Sequence, residues 1–327
     1  MSRSPFQPFV LPESNRRQWQ RQALRCAPSR VGVLDDLLPS AAALAKTYLP
    51  DELKTALEEA LNPHGTGLCV INNLPIDPEP GPVPTNGRRP ATKSTYVSEL
   101  ALLGATRAIG WEIVTFLQEK RGEWPQQVAP VIGLEKTNSS ASREEFGAHA
   151  DNAIFPRWVR LGISLIGLVN EHRTETYFAP LDAILAALPG DIVQVLREPL
   201  YRFKFPESFA MDREYSKTQP VLARGPHGQE EIKFTVYSVE GINPAARQAV
   251  EVLRGVLAGL LQPVVIEPGT LVLFNNARCL HARGRIEGSR WAQRIYVAAP
   301  HTFSNLQTVT GTGPLNRVFD ARLLVGG

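Results

Sequence analysis

A hexapeptide near the middle of the chain, Phe146-Gly147-Ala148-His149-Ala150-Asp151, restricts the possible folds more than any other stretch. It sets an imidazole and a carboxylate two positions apart, shortly before a long apolar run over 159–169. In extended backbone, residues i and i+2 project to the same face, so both side chains reach one point in space. Two ligands alone hold a metal weakly, so the pair calls for a third donor from elsewhere in the chain. His64, His172, His227 and His301 lie in polar or turn surroundings and are expected to be solvated. His281 differs, because it stands just after a strand-like segment at 270–275. A sheet closed on itself could bring it to the first pair. Two histidines and one carboxylate on one face, with the other metal positions open, form the ligand set of a non-haem Fe(II) oxygenase.

Bulk properties set the frame. The 35 basic and 32 acidic residues are spread along the chain and nearly cancel, which gives no footing for nucleic-acid or membrane binding. With 43% hydrophobic residues in 327, a sizeable core is available, in one large domain or two. Cys26, Cys69 and Cys279 are odd in number and widely spaced, which speaks against a disulfide framework or a thiolate metal cage. No apolar run reaches the roughly 18 residues of a membrane span, and residues 1–25 have no signal-peptide core. A reduced, soluble, cytoplasmic protein is expected, of an oligomeric state that the chain does not reveal.

In chain order, residues 1–30 read as an irregular arm. A helix over 35–62 is expected in two pieces, divided at Pro50 with Asp51 as N-cap of the second, before a buried strand over 67–72. Six prolines within 75–90 make residues 75–95 a loop and a candidate lid. Approximate helical periodicity covers 96–120, and a strand is expected at 130–135. Further strands are expected at 159–169, 201–205, 220–223, 231–237, 264–267, 270–275 and 294–299, with helices at 182–188 and 244–261. No repeat is present, and strands clustered in the second half point to an α+β domain over 1–327 rather than alternating βαβ units.

The run Glu267-Pro268-Gly269-Thr270 continues through Asn275-Asn276 to His281-Ala282-Arg283, and Arg290-Trp291-Ala292-Gln293-Arg294 follows. Together with the His-x-Asp pair and the Pro206-Glu207-Ser208-Phe209 segment, this resembles the clavaminate synthase-like Fe(II)/2-oxoglutarate oxygenases of the taurine dioxygenase superfamily. The resemblance runs from about residue 131 to 299. It implies a double-stranded β-helix (jelly-roll) core, with flanking helices mainly from the N-terminal half.

It also implies roles. His149, Asp151 and His281 would hold Fe(II). The far carboxylate of 2-oxoglutarate would meet Arg290, the first Arg of Arg-x-x-x-Arg, since a guanidinium matches a planar carboxylate bidentately. The trimmed loop between His281 and Arg290 leaves Arg294 as the alternative. A threonine would add a hydrogen bond, either Thr176 or Thr174. Arg294, Glu145 and Phe155 are candidate substrate contacts. Since Asp151 keeps a carboxylate where halogenating relatives carry a small residue, hydroxylation is expected. Fe(II), 2-oxoglutarate and O2 would be consumed or used with a small-molecule substrate, a free L-amino acid such as lysine or arginine. Same-fold desaturation or cyclisation, and a non-catalytic ligand-binding jelly-roll, are the alternatives.

Overall fold

The computed structural model describes residues 4–30, 34–304, 306 and 317–326. The strands of the first half are β1 (Phe9–Val10), β2 (Leu68–Asn72), β3 (Glu112–Phe116), β4 (Gln126–Val128), β5 (Phe146–His149), β6 (Gly162–Asn170) and β7 (Glu175–Pro180). Two short strands, β8 (Tyr201–Phe203) and β9 (Leu222–Arg224), pair antiparallel with β11 (Val239–Gly241) and β10 (Glu230–Ile232), respectively. The remaining strands are β12 (Gln262–Val265), β13 (Leu271–Asn275), β14 (Cys279–Arg283), β15 (Arg290–Ala298) and β16 (Val318–Phe319). Helices are α1 (Glu13–Ala23), α2 (Leu38–Tyr48), α3 (Asp51–Leu61), α4 (Val97–Ala108), α5 (Leu181–Ala187), α6 (Gly190–Arg197), α7 (Pro244–Leu260) and α8 (Ala321–Val325).

The main sheet runs β1-β2-β13-β6-β15-β3-β16, with β4 also on β15, and a four-stranded sheet runs β12-β7-β14-β5. Side-chain alternation on the main sheet explains how it carries two cores. On β13, Leu271 and Leu273 join the apolar cluster of α1–α4, while Val272 and Phe274 join the cluster shared with the small sheet. Strand β15 follows the same rule: Trp291, Ile295 and Val297 go to the helices, and Tyr296 and Ala298 go to the other face. The two sheets meet face to face, with the Phe178 and Phe274 ring centroids 5.2 Å apart. Helix α7 closes the outer side; its Asn243 cap accepts from Ala246 N–H at 2.8 Å, and Pro244 fills the first turn.

Several expectations are corrected. Residues 1–30 are not an irregular arm: β1 pairs parallel with β2, and α1 buries Trp19 completely against the helical layer. Only 97–108 of the stretch 96–120 is α-helix. Gly110, at φ +72°, ends it, and the β-branched run at 113–115 becomes β3, paired with β15. Pairing partners distant in sequence override local periodicity there. The strand expected at 130–135 lies earlier, as β4, and 132–137 is a series of turns. Asp51 is the first residue of α3 rather than its cap, and it binds Lys54 at 2.8 Å. The strand expected at 264–267 lies at 262–265, and it belongs to a different sheet from 271–275, so the Pro268-Gly269 turn crosses between layers.

Candidate active site

Backbone pairing assembles the site. Strand β5 pairs with β14 so that His149 stands opposite His281, and β14 pairs with β7 so that Arg283 stands opposite Thr176. Asp151 lies just past the end of β5. Its peptide is clamped by Asn276, whose Oδ1 accepts from Asp151 N–H and whose Nδ2 donates to Asp151 O, both at 2.8 Å. Each imidazole Nε2 faces one carboxylate oxygen: His149 lies 3.1 Å and His281 3.6 Å from Asp151 Oδ1. The three ligand atoms lie within 4.8 Å of one another.

The donor chemistry fits a divalent ion. His149 Nδ1 is 2.8 Å from Gly147 O, and donation to that carbonyl leaves the Nε2 lone pair directed at the site. Gly147 also admits the Tyr237 hydroxyl, which accepts from Gly147 N–H at 2.7 Å; a Cβ there would meet Val236 at 2.7 Å. Burial and the neighbouring His149 push the His281 imidazole down to about 3, so it is neutral and able to ligate. Burial opposes ionisation of Asp151. The Arg294 guanidinium and His149 outweigh it and hold the carboxyl far below the usual range.

Asp151 divides its oxygens. While Oδ1 faces the imidazoles, Oδ2 accepts from Arg294 Nη1 at 2.6 Å and from the Tyr296 hydroxyl at 2.8 Å. Tyr296 is also 2.8 Å from Glu119 Oε2, and Arg294 donates to Gln126 Oε1 at 2.9 and 2.5 Å. Glu119, Gln126, Asn276 and Tyr296 were not anticipated as site residues. Asn276 and Tyr296 had a signal in the sequence, the Asn-Asn pair and an i+2 position on the strand of Arg294. Glu119 and Gln126 had none, because only the folding of β4 and the β3 loop brings them near.

Arg290 is 3% exposed, and its Nη2 donates to Thr176 Oγ1 at 3.0 Å. Among the described residues its Nε has no partner, and burial with the nearby Arg283 pushes the guanidinium down to about 9. Thr176 rather than Thr174 makes this contact; Thr174 instead takes part in a local turn, its N–H donating to Asn170 Oδ1. Arg290, Arg294 and Tyr296 share the even-numbered face of β15, the face toward the triad.

A cavity of about 290 Å3 opens beside His149 and Asp151, lined in part by Phe146, Phe205, Thr235 and Tyr237. The Phe146 ring packs on His149 at 4.2 Å and stacks on Tyr237 at 5.8 Å. Phe155 does not line this cavity. It is a core residue, 2% exposed, packed against Phe116 and Phe209, because the turn after Asp151 folds it inward. Glu145 is exposed and also lies outside the cavity wall. Trp158 is on the surface against Phe303.

Residues 90–296 match the model of the family described as taurine catabolism dioxygenase TauD, TfdA family. L-asparagine oxygenase of Streptomyces coelicolor is 25% identical over 239 residues, covering 71% of each chain. L-lysine 3-hydroxylase of Catenulispora acidiphila is 24% identical over 272 residues, 79% of this chain and 75% of the relative. Among solved structures, asparagine oxygenase with Fe(II), 2S,3S-3-hydroxyasparagine and succinate has the same fold, with a TM-score of 0.81 at 22% identity. That likeness covers 96% of this chain and 99% of the other. The non-heme iron oxygenase OrfP with Fe and alpha-ketoglutaric acid is equally similar, with a TM-score of 0.81 at 22% identity over 96% of this chain and 100% of the other. With its model matched over well more than half of the residues, the chain belongs to the TauD/TfdA dioxygenase family.

Proposed function

We propose that the protein is an Fe(II)/2-oxoglutarate-dependent dioxygenase that hydroxylates an unactivated C–H bond of a free L-amino acid or close derivative, with release of succinate and CO2. Its relatives include, by name, an L-asparagine oxygenase, an L-lysine 3-hydroxylase and an L-ornithine/L-arginine 3-hydroxylase. The observation that carries the reading is Arg290: a guanidinium buried with one hydroxyl partner and a free Nε, on the face that looks toward the triad. A buried cation without a counter-charge is costly and is expected to be completed by an anionic ligand. The far carboxylate of 2-oxoglutarate suits this pocket, with Thr176 as the second donor.

His149, Asp151 and His281 would hold the iron, which supplies the activation of O2 when bound. The chain does the rest. Gly147 O and the Asn276 clamp on Asp151 orient the ligands, and Arg294 and Tyr296 keep Asp151 ionised and aimed. Arg294, expected at the substrate, has its charge met by Asp151 and Glu119, at 2.6 and 3.3 Å. This supports a positioning role at Asp151 in place of direct substrate contact. The two facing sheets suit the double-stranded β-helix of this family, which we adopt as the description of the core, with residues 1–327 as one domain.

A ligand-binding protein without catalysis would have no need of both the triad and a buried cation for a dicarboxylate. Among the described residues no helix is long and apolar enough to cross a membrane. Succinate release from 2-oxoglutarate, with Fe(II), ascorbate and a panel of L-amino acids, tests the reading. Turnover should appear with at least one of them and fall to background in His149→Ala and Asp151→Ala. Full activity in either variant would refute the ligand set, and metal-loaded protein silent across the panel would refute the substrate class.

A further inference from the structure

Resting on the reading as a free amino-acid hydroxylase, we propose that the substrate's side chain carries no positive charge, and that Thr235 and Tyr237 are the residues that set this preference. Segment 234–238 runs antiparallel beside β5. Thr235 is bridged to His149, Ala150 N–H donates to Phe234 O at 2.8 Å, and Val236 N–H donates to Ala148 O at 3.1 Å. Alternation along it buries Phe234 in the core and turns Thr235 and Tyr237 to the cavity that His149 and Asp151 also line. A substrate side chain held beside the triad therefore meets these two neutral residues.

The charges around the cavity leave a cationic side chain without a partner. Among the described residues that line it, the only carboxylate is Asp151, committed to Arg294, Tyr296 and the two imidazoles. Glu119 lies behind it and already receives Asn152, Arg294 and Tyr296. Glu144 is 3.8 Å from Arg285, and the exposed Glu145 is not among the residues that line the cavity. The one further charge on the lining is a cation, Lys204, which pairs with Glu214 at 3.0 Å on the surface. The rest of the wall offers hydroxyls of Thr235, Tyr237 and Ser238, the Asn138 amide, and the rings of Phe146 and Phe205. Those rings attract a cation too weakly to replace a counter-charge once water is removed. An aliphatic, aromatic or amide side chain fits such a wall; lysine, ornithine or arginine does not.

Shape-matched pairs of L-amino acids separate charge from size. Binding of citrulline against arginine, and of norleucine against lysine, is measured by calorimetry on protein loaded anaerobically with Fe(II) and 2-oxoglutarate, with asparagine as a further neutral probe. The neutral member should bind at least about tenfold more tightly in each pair that binds. Thr235→Asp should shift the ratio toward the cation by about tenfold or more, whereas the neutral Thr235→Asn should leave it in place. Tighter binding of arginine or lysine to the unaltered protein overturns the inference while leaving the hydroxylase reading intact. An equal shift in both Thr235 variants, or none in folded Thr235→Asp, overturns the role of Thr235. Binding of no amino acid at all overturns the free amino-acid reading and this inference with it.

Discussion

One strand, β15, borders two buried charged clusters of opposite character. On its helix side, Gln293 donates to Glu99 at 3.0 Å, beside Lys93, which lies 2.7 Å from Asp77 and 2.6 Å from Glu99. Arg89 reaches the same Glu99 at 2.8 Å, while Thr95, Val97 and Ser98 donate to Asp77. Every charge in that cluster is met by protein, and it fastens the end of the proline-rich loop onto α4. On the cavity side, three residues earlier on the strand, Arg290 has only Thr176 among the described residues, and the buried His281 Nδ1 has no partner among them. The cluster that serves the fold meets its charges, leaving only the neutral Gln293 Oε1 without a partner among the described residues. One that serves a ligand keeps donors open and carries the cost of burying them.

The contrast breaks if the two clusters respond alike to loss of their cations. Lys93→Met should be the most damaging, by about 3 to 5 kcal/mol in urea unfolding, because two buried carboxylates lose their shared cation. Its pH signature follows from Asp77. Burial would raise that carboxyl, but Lys93 and the hydrogen bonds hold it below its ordinary value. Its contribution is therefore present above the unfolded carboxylate range and is lost as the pH falls through the lower folded value. In the variant only the hydrogen bonds from Thr95, Val97 and Ser98 still oppose burial, so protonation in acid relieves Asp77, and the stability gap should be widest near neutral pH and narrow below about pH 4. A gap that does not change with pH would contradict this account of the cluster.

Arg290→Met should do the reverse. Stability should hold or rise by about 1 to 4 kcal/mol, since an incompletely partnered buried charge is replaced by an apolar side chain of similar length. The KM for 2-oxoglutarate should rise by about a hundredfold, the loss expected for a bidentate charged contact. In thermal melts, 2-oxoglutarate with Mn(II) should raise the Tm of the unaltered protein but not of this variant. Marked destabilisation with an unchanged KM would return Arg290 to a structural role. Tyr296→Phe is the mildest, removing one of the two donors to Asp151 Oδ2. Metal affinity should fall by about tenfold with little change in the KM for 2-oxoglutarate, read by competition with a chelator. An unaltered affinity would mean that Arg294 alone orients the carboxylate.

The candidate ligands were legible because the relevant rule is local. His149 and Asp151 are two apart next to a strand, and Arg290 and Arg294 fall on one face of another strand by the same period of two. His281 stood out from the other histidines by its place after a strand-like segment, and the family resemblance strengthened that reading, since nothing local joins residues so distant. The substrate residues were legible least. Glu145 and Phe155 stand close to the triad in sequence, but the chain turns after Asp151 and sends Phe155 into the core.

What the sequence determined by itself, then, was the chemistry that short-range geometry can express: ligand types, strand alternation, the helix break at Pro50 and the strand-turn-strand about Gly269. Tertiary structure alone decided that 112–116 is strand, that the N-terminal residues fold onto the main sheet, and that Glu119 and Gln126 reach Arg294. It also decided that Thr235, not Glu145, faces the cavity. Each of these depends on pairings between residues far apart in the chain, whose free energy comes from packing and desolvation rather than from local preference.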